Sequence, residues 1–177
     1  MSRLKKRPVQ IGILALLVLA AGLVSWLVLL RDDDSGKGGP VAGSVAGLRA
    51  LSRATGHRVY WAGEWKGHTY ELTRGRDGST YVRYLPQGVS LGDSRASFLT
   101  IGTYVERNAA AIVRRAARRN NVKAAKVRGG GVAVANPSKP DSVYIGYPST
   151  GLLVEVFHPS PPIARRVARS GRVVPVR

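Results

Sequence analysis

The chain begins with four cations, Arg3, Lys5, Lys6 and Arg7, and then runs from Ile11 to Leu30 without a charged residue. At ~1.5 Å per residue that run makes about 30 Å of helix, the thickness of a bilayer's hydrocarbon core. The pattern predicts one transmembrane helix over 11–30, with Trp26 toward the far interface, where indole rings collect. Arg31-Asp32-Asp33-Asp34 closes it. Basic residues before the span and acids after it place 1–10 in the cytoplasm as a basic flank and everything after Arg31 outside the membrane. Val18-Leu19-Ala20 also fits a signal-peptide cleavage rule. Cutting there would leave Ala21 to Leu30 as an exposed apolar tail, and the run exceeds the usual signal core of roughly 7–15 residues.

Residues 31–43 are polar and Gly-rich and read as a flexible linker. The remaining segment, 44–177, is long enough for a sizeable core. Val45, Leu48 and Leu51 recur at helical spacing before Gly56, predicting a helix over about 44–55. Runs rich in β-branched and aromatic residues predict strands at 58–62, 68–74 and 80–85, the last two joined by a hairpin turn through Asp77-Gly78. Residues 86–94 read as a loop and 98–105 as a strand. A helix follows to Arg119, with Ile112, Val113, Ala116 and Ala117 on its apolar face. Strands are then expected near 122–128, 132–135, 142–147 and 152–158, a Pro-initiated helix over 161–170, and an end strand over 173–176.

The fold class this predicts is α+β: one N-terminal transmembrane helix, then a single antiparallel-sheet domain with two to three helices covering one face. Sliding the chain by 73–74 places sets Tyr70 over Tyr144 and Tyr81 to Pro86 over Val154 to Pro159, which admits two pseudo-repeats.

Composition sharpens the functional side. There are 28 Lys+Arg against 10 Asp+Glu, a formal +18, and no cysteine, which excludes disulfides, Cys-ligated zinc and thiol catalysis. Of this charge, +15 lies in 44–177 (22 cations, 7 acids), +4 in the cytoplasmic flank and −1 in the linker. A chain of 177 residues is too short for a (β/α)₈ barrel, which takes roughly 250.

Tyr60-Trp61-Ala62-Gly63, Thr69-Tyr70-Glu71-Leu72-Thr73, Tyr81-Val82-Arg83-Tyr84-Leu85-Pro86, Ile101-Gly102-Thr103-Tyr104 and Val154-Glu155-Val156-Phe157 stand as separated runs across about 58–176. On these runs the chain resembles a family of unknown function, uncharacterised single-pass membrane proteins of actinobacteria. The resemblance implies topology and source, a bacterial plasma membrane with the C-terminal domain extracytoplasmic, and no particular chemistry. The excess of Arg over Lys independently fits a GC-rich genome.

The strongest functional pattern is basic. Arg114, Arg115, Arg118 and Arg119 share one side of a predicted helix at i and i+4 spacing, and Arg165, Arg166 and Arg169 do so on the last helix. Arg offers a planar fork of donors suited to phosphate and carboxylate. The expected function is a non-catalytic, membrane-anchored binding module of the cell envelope. Its lipid-bilayer contact is through 11–30, and its Arg faces meet anionic lipid, wall polymers such as teichoic acids, or an acidic protein. Nucleic acid is disfavoured by the location.

Other constellations weigh less. Gly88-Val89-Ser90-Leu91-Gly92 matches the Gly-x-Ser-x-Gly pattern, and Asp141 and His158 follow in hydrolase order, which gives the alternative of a small serine hydrolase. That motif needs a strand into the Ser and a helix out of it; here Pro86 precedes and a short polar run follows. His57, His68 and His158 lack the short spacing of a metal site, so no metal or cofactor is expected. Glu64, Glu71, Glu106 and Glu155 are the candidate acids, with salt bridges to Arg expected to hold them ionised. Gly129-Gly130-Gly131 reads as a turn, and Tyr60, Trp61 and Trp65 as a stacking platform from which strand alternation removes at least one residue to the core.

Overall fold

The computed structural model of the protein describes residues 41–176. The span expected over 11–30, its basic flank 1–10 and the linker up to residue 40 lie outside the described residues. Among the described residues, no helix is long and apolar enough to cross a membrane.

Ten strands and three helices alternate through the domain. In chain order they are β1 (Val41–Gly43), α1 (Val45–Thr55), β2 (Tyr60–Trp61), β3 (His68–Arg74), β4 (Thr80–Pro86), β5 (Thr100–Val105), α2 (Ala109–Arg119), β6 (Ala125–Lys126), β7 (Val132–Asn136), β8 (Lys139–Tyr147), β9 (Leu152–Phe157), α3 (Pro161–Arg169) and β10 (Val174–Pro175). Eight strands form one sheet in the order β1-β3-β4-β5-β9-β8-β7-β6, every pairing antiparallel, and β2 and β10 pair separately.

The expected α+β class is thereby corrected: the domain is mostly β, organised by a single continuous sheet. The helices also do not share one face. Val143, Ile145 and Tyr147 of β8 join the main core with Leu48 of α1 and Ala164, Val167 and Ala168 of α3. Gly146, which points the other way by strand alternation, lies against α2; a Cβ there would stand 2.5 Å from the Ala109 carbonyl oxygen. So α1 and α3 pack on one face and α2 on the other. Both faces of β9 are buried along its whole length, which is why its apolar run does not alternate.

Local signals explain most element ends. Ser44 caps α1 by accepting from the Gly47 N–H at 3.1 Å, and Gly56 closes it in the left-handed region. Asp77 Oδ1 accepts from the Ser79 N–H at 3.0 Å and its hydroxyl at 2.6 Å, shaping the β3–β4 turn. The buried side of α2 is Ala109, Ala110, Val113 and Ala117, rotated from the expected Ile112 and Ala116, which are half-buried. Small alanines, together with Gly146, let that helix approach the sheet closely. β1 forms where the linker was expected to continue, and Gly43 leaves room for the Leu72 side chain, which a Cβ there would displace.

The 73–74-residue repeat also fails. It superimposes β10 on β5, yet β5 occupies the edge of β9 and leaves β10 to pair with β2. The correspondence in space is instead between two three-stranded meanders, β3-β4-β5 and β7-β8-β9, joined at β5–β9 and each preceded by a helix. No constant shift relates them, because the β4–β5 connection is long and its counterpart is a tight turn.

Candidate functional site

Arg114, Arg115, Arg118 and Arg119 are all exposed on α2, and Arg165, Arg166 and Arg169 on α3. Burying Val113 and Ala117 on one side, and Ala164, Val167 and Ala168 on the other, turns the Arg positions of each helix to solvent. Each set is brought together by its helix, but the two sets lie on opposite sides of the sheet. Among the described residues the ion pairs are Arg83–Glu71 and Arg95–Asp93, so Arg114, Arg115, Arg118, Arg165, Arg166 and Arg169 face no carboxylate at salt-bridge distance.

On the α2 face of the sheet two carboxylates are buried. Glu71 on β3 is fully buried and accepts from Arg83 Nη1 at 2.5 Å, its register partner on β4, itself 1% exposed. The other carboxylate oxygen accepts from the Gly92 N–H at 2.5 Å, and Arg83 Nη2 donates to the carbonyls of Asp93 (2.7 Å) and Arg95 (3.0 Å). The guanidinium also lies over the Phe98 ring, 5.2 Å from its centroid. These bonds hold the β4–β5 connection down on the sheet.

That connection contains the Gly-x-Ser-x-Gly run, and its glycines have a structural explanation. Gly88 and Gly92 both take positive φ, and Gly92 must bring its backbone N–H to a buried carboxylate. Ser90 is exposed and no helix follows it. Asp141 and His158 are neighbours at the end of the β8–β9 pair, where the His158 N–H donates to the Asp141 carbonyl. The His158 ring accepts from the Ser160 N–H at Nδ1, 2.9 Å, which puts its proton on Nε2, the wrong tautomer for a base acting on a serine through Nε2. Desolvation also lowers the His158 pKa.

The second carboxylate, Glu155 on β9, has no cationic partner at salt-bridge distance among the described residues and is 3% exposed. Gly102 stands opposite it on β5, and the absence of a side chain there lets the Tyr104 ring fold across; a Cβ on Gly102 would lie 2.9 Å from the Tyr104 oxygen. Tyr104 donates to Glu155 Oε2 at 2.6 Å and packs edge-on against Tyr81. Glu155 Oε1 and the Ser142 hydroxyl are both buried. Burial raises the Glu155 pKa, against the opposing effect of the hydroxyls of Tyr104, Ser142 and Tyr144. Burial likewise raises Tyr104 and Tyr144, with the Glu155 charge adding to both. The cluster is a protonatable carboxyl among neutral hydroxyls, the opposite of the ionised, Arg-paired acid expected for this position. The signal available in the sequence was a lone charge inside Leu152–Phe157, an otherwise wholly apolar strand.

The remaining candidates scatter. His57 Nε2 lies 2.9 Å from the Gly78 carbonyl at one end of β3, while His68 begins the other end and packs edge-on against Trp65. Among the described residues no group of His, Asp and Glu could hold a metal ion. Glu64 and Glu106 sit in partly or fully exposed connections. Tyr60 is a core residue stacked on Tyr147, which leaves Trp61 and Trp65 half-buried, with Arg172 over the Trp65 ring. Gly129-Gly130-Gly131 forms a tight turn between β6 and β7. No family model, curated protein or solved structure matches the chain.

Proposed function

We propose that the protein is a non-catalytic binding module of the bacterial cell envelope, attached to the plasma membrane through the apolar run 11–30. The folded domain lies outside the membrane and engages anionic lipid, wall polymer or an acidic protein partner through the Arg faces of α2 and α3. The observation that carries this reading is that Arg114, Arg115, Arg118, Arg165, Arg166 and Arg169 are exposed and, among the described residues, face no carboxylate at salt-bridge distance. An arginine without an internal partner keeps its fork of donors for an external anion. Near an anionic surface each such charge contributes ~1 kcal/mol, fading within a Debye length.

The test is binding of the full chain, in neutral detergent, to bilayer discs and soluble polymers that are either anionic or uncharged. Anionic ligands should bind and be released by salt, and the variant Arg114→Gln/Arg115→Gln/Arg118→Gln should bind them more weakly. Equal binding to charged and uncharged ligands, unaffected by salt or by the substitutions, would sink the reading.

A further inference from the structure

We infer that the cationic surface of this domain continues as a belt around one edge of the sheet, and that the belt takes a flexible chain of phosphates rather than a flat anionic bilayer. This rests on the anion-binding function proposed above and names the ligand class.

The two Arg-bearing helices lie on opposite faces of the sheet, so their Arg faces point away from each other and a flat surface cannot meet both face on. What joins them is the β6 edge. Lys123 and Lys126 are exposed along it. Lys126 is in register with Val132, which is in register with Gly146, so Lys126 belongs to the α2 side of the sheet. Arg128, two residues on, is exposed and crosses toward α3: its Cβ and Cδ are each 3.7 Å from where a Cβ on Gly171 would stand, immediately after α3 and between Arg169 and Arg172. Positive charge therefore passes from Arg118 through Lys123, Lys126 and Arg128 to Arg169.

The belt's composition identifies its ligand. From Arg107 to Pro140 there are 9 Lys+Arg, no Asp or Glu and no aromatic residue. From Pro159 to Val176 there are 4 Arg, again with no acid and no aromatic. A surface that binds bases or sugar rings stacks them on aromatic side chains; these two segments carry none, and the half-buried Trp65 ring beside Arg172 is covered by that residue's guanidinium. It offers repeated guanidinium and ammonium donors along a curved path, which suit phosphates spaced along a chain able to follow the curve. A chain that engages one side also holds its remaining phosphates at high effective concentration near the other.

The experiment measures binding of the full chain, in neutral detergent, to three probes: long-chain inorganic polyphosphate, tripolyphosphate at equal phosphate concentration, and bilayer discs containing phosphatidylglycerol. Long-chain polyphosphate should bind at least about tenfold more tightly than tripolyphosphate, the gain expected from linked sites. The edge variant Lys123→Gln/Lys126→Gln/Arg128→Gln should lose that advantage, its affinity for long-chain polyphosphate falling to within about twofold of its own affinity for tripolyphosphate. Lys123→Gln/Lys126→Gln, which leaves Arg128 and its packing against Gly171 intact, should lose part of it. Circular dichroism identical to the parent establishes that each variant is folded. An edge variant that keeps the full chain-length advantage overturns the belt. So do discs that bind more tightly than polyphosphate and displace it; if that disc binding falls in the α2 arginine variant, the anion-binding function stands and only the ligand class is wrong. Failure of every anionic probe to bind overturns both.

Discussion

Glu71 and Glu155 occupy adjacent cross-strand rows on the same face of the sheet, equally sealed from water, and they are stabilised in opposite ways. The Glu71 row runs Glu71, Arg83, Thr100, Phe157, Ser142; the Glu155 row runs Thr73, Tyr81, Gly102, Glu155, Tyr144. In the first, a guanidinium stands directly opposite and a backbone N–H reaches in from the β4–β5 connection, so the carboxylate lies within a set of strong, charge-assisted bonds. In the second, glycine stands opposite, and the space it leaves admits the Tyr104 ring and hydroxyl but no cation. One buried acid acts as a clamp on a loop; its neighbour is a carboxyl whose pKa is raised by desolvation. The difference is made by the residue across the strand, not by depth of burial.

The largest effect should come from breaking the first row. Arg83→Met leaves the Glu71 carboxylate buried and unpaired, which costs about 3–5 kcal/mol. Chemical denaturation of the variant should show that loss, and limited proteolysis should find new cleavage between Gly88 and Ser97. Glu71→Leu/Arg83→Met, which removes both charges, should recover much of the stability but not the protease resistance, since the loop still lacks its anchors. If the double variant is no more stable than Arg83→Met, the pair does not work as described.

Next in size is Gly102→Ala. Its methyl would meet the Tyr104 hydroxyl and ring, and displacing that ring should cost about 1–3 kcal/mol, the usual price of overpacking. Tyr104→Phe at the same place deletes only the hydrogen bond to Glu155 and should cost about 1 kcal/mol. Equal losses from the two would mean that Gly102 is not needed to seat the ring.

The smallest effect, and the most specific, is in pH dependence. A carboxyl whose folded pKa is raised contributes stability that is fully present below its unfolded value, 4.5 for Glu, and is lost as pH climbs from there through the folded pKa. Unfolding midpoints should therefore decline with rising pH over that window in the parent protein. In Glu155→Gln the decline should be shallower, because the amide has no proton to lose. The groups facing Glu155 are Tyr104, Tyr144, Ser142 and, farther off, Lys139; the tyrosines are pushed upward and stay neutral throughout the window. Superimposable pH profiles for parent and variant would show that Glu155 is already ionised in the fold.

Much of the secondary structure was legible because its signals are local. The Asp77-Gly78 turn, the Ser44 cap with its Gly56 stop, and the prolines opening α3 each act within a few residues. The seven arginines of α2 and α3 were legible as exposed for the same reason, since helical spacing separates them from the buried Val113 and Val167. What could not be read was anything requiring one element to find another. The fold class was misjudged although strands were expected over 58–62, 122–128 and 173–176, where β2, β6 and β10 lie: alternation along each strand does not show that eight of them join edge to edge in one sheet that dominates the domain. The apparent repeat compared strands by their alternation alone, which carries no information on which edge each strand will occupy.

By itself, then, the sequence determined the charge budget, the apolar run at 11–30, the principal strands and helices, and the solvent-facing character of the arginines, all of which depend on composition or on spacing along one element. Only the tertiary structure decided that β5 lies between β4 and β9, that α2 and α3 take opposite faces, that Glu71 meets Arg83 while Glu155 meets Tyr104, and that Arg128 rounds the β6 edge to Gly171. Those outcomes depend on strand pairing between residues far apart in the chain. A side chain's partner, and with it the state of its proton and the shape of the surface it helps to make, is set by register across the sheet.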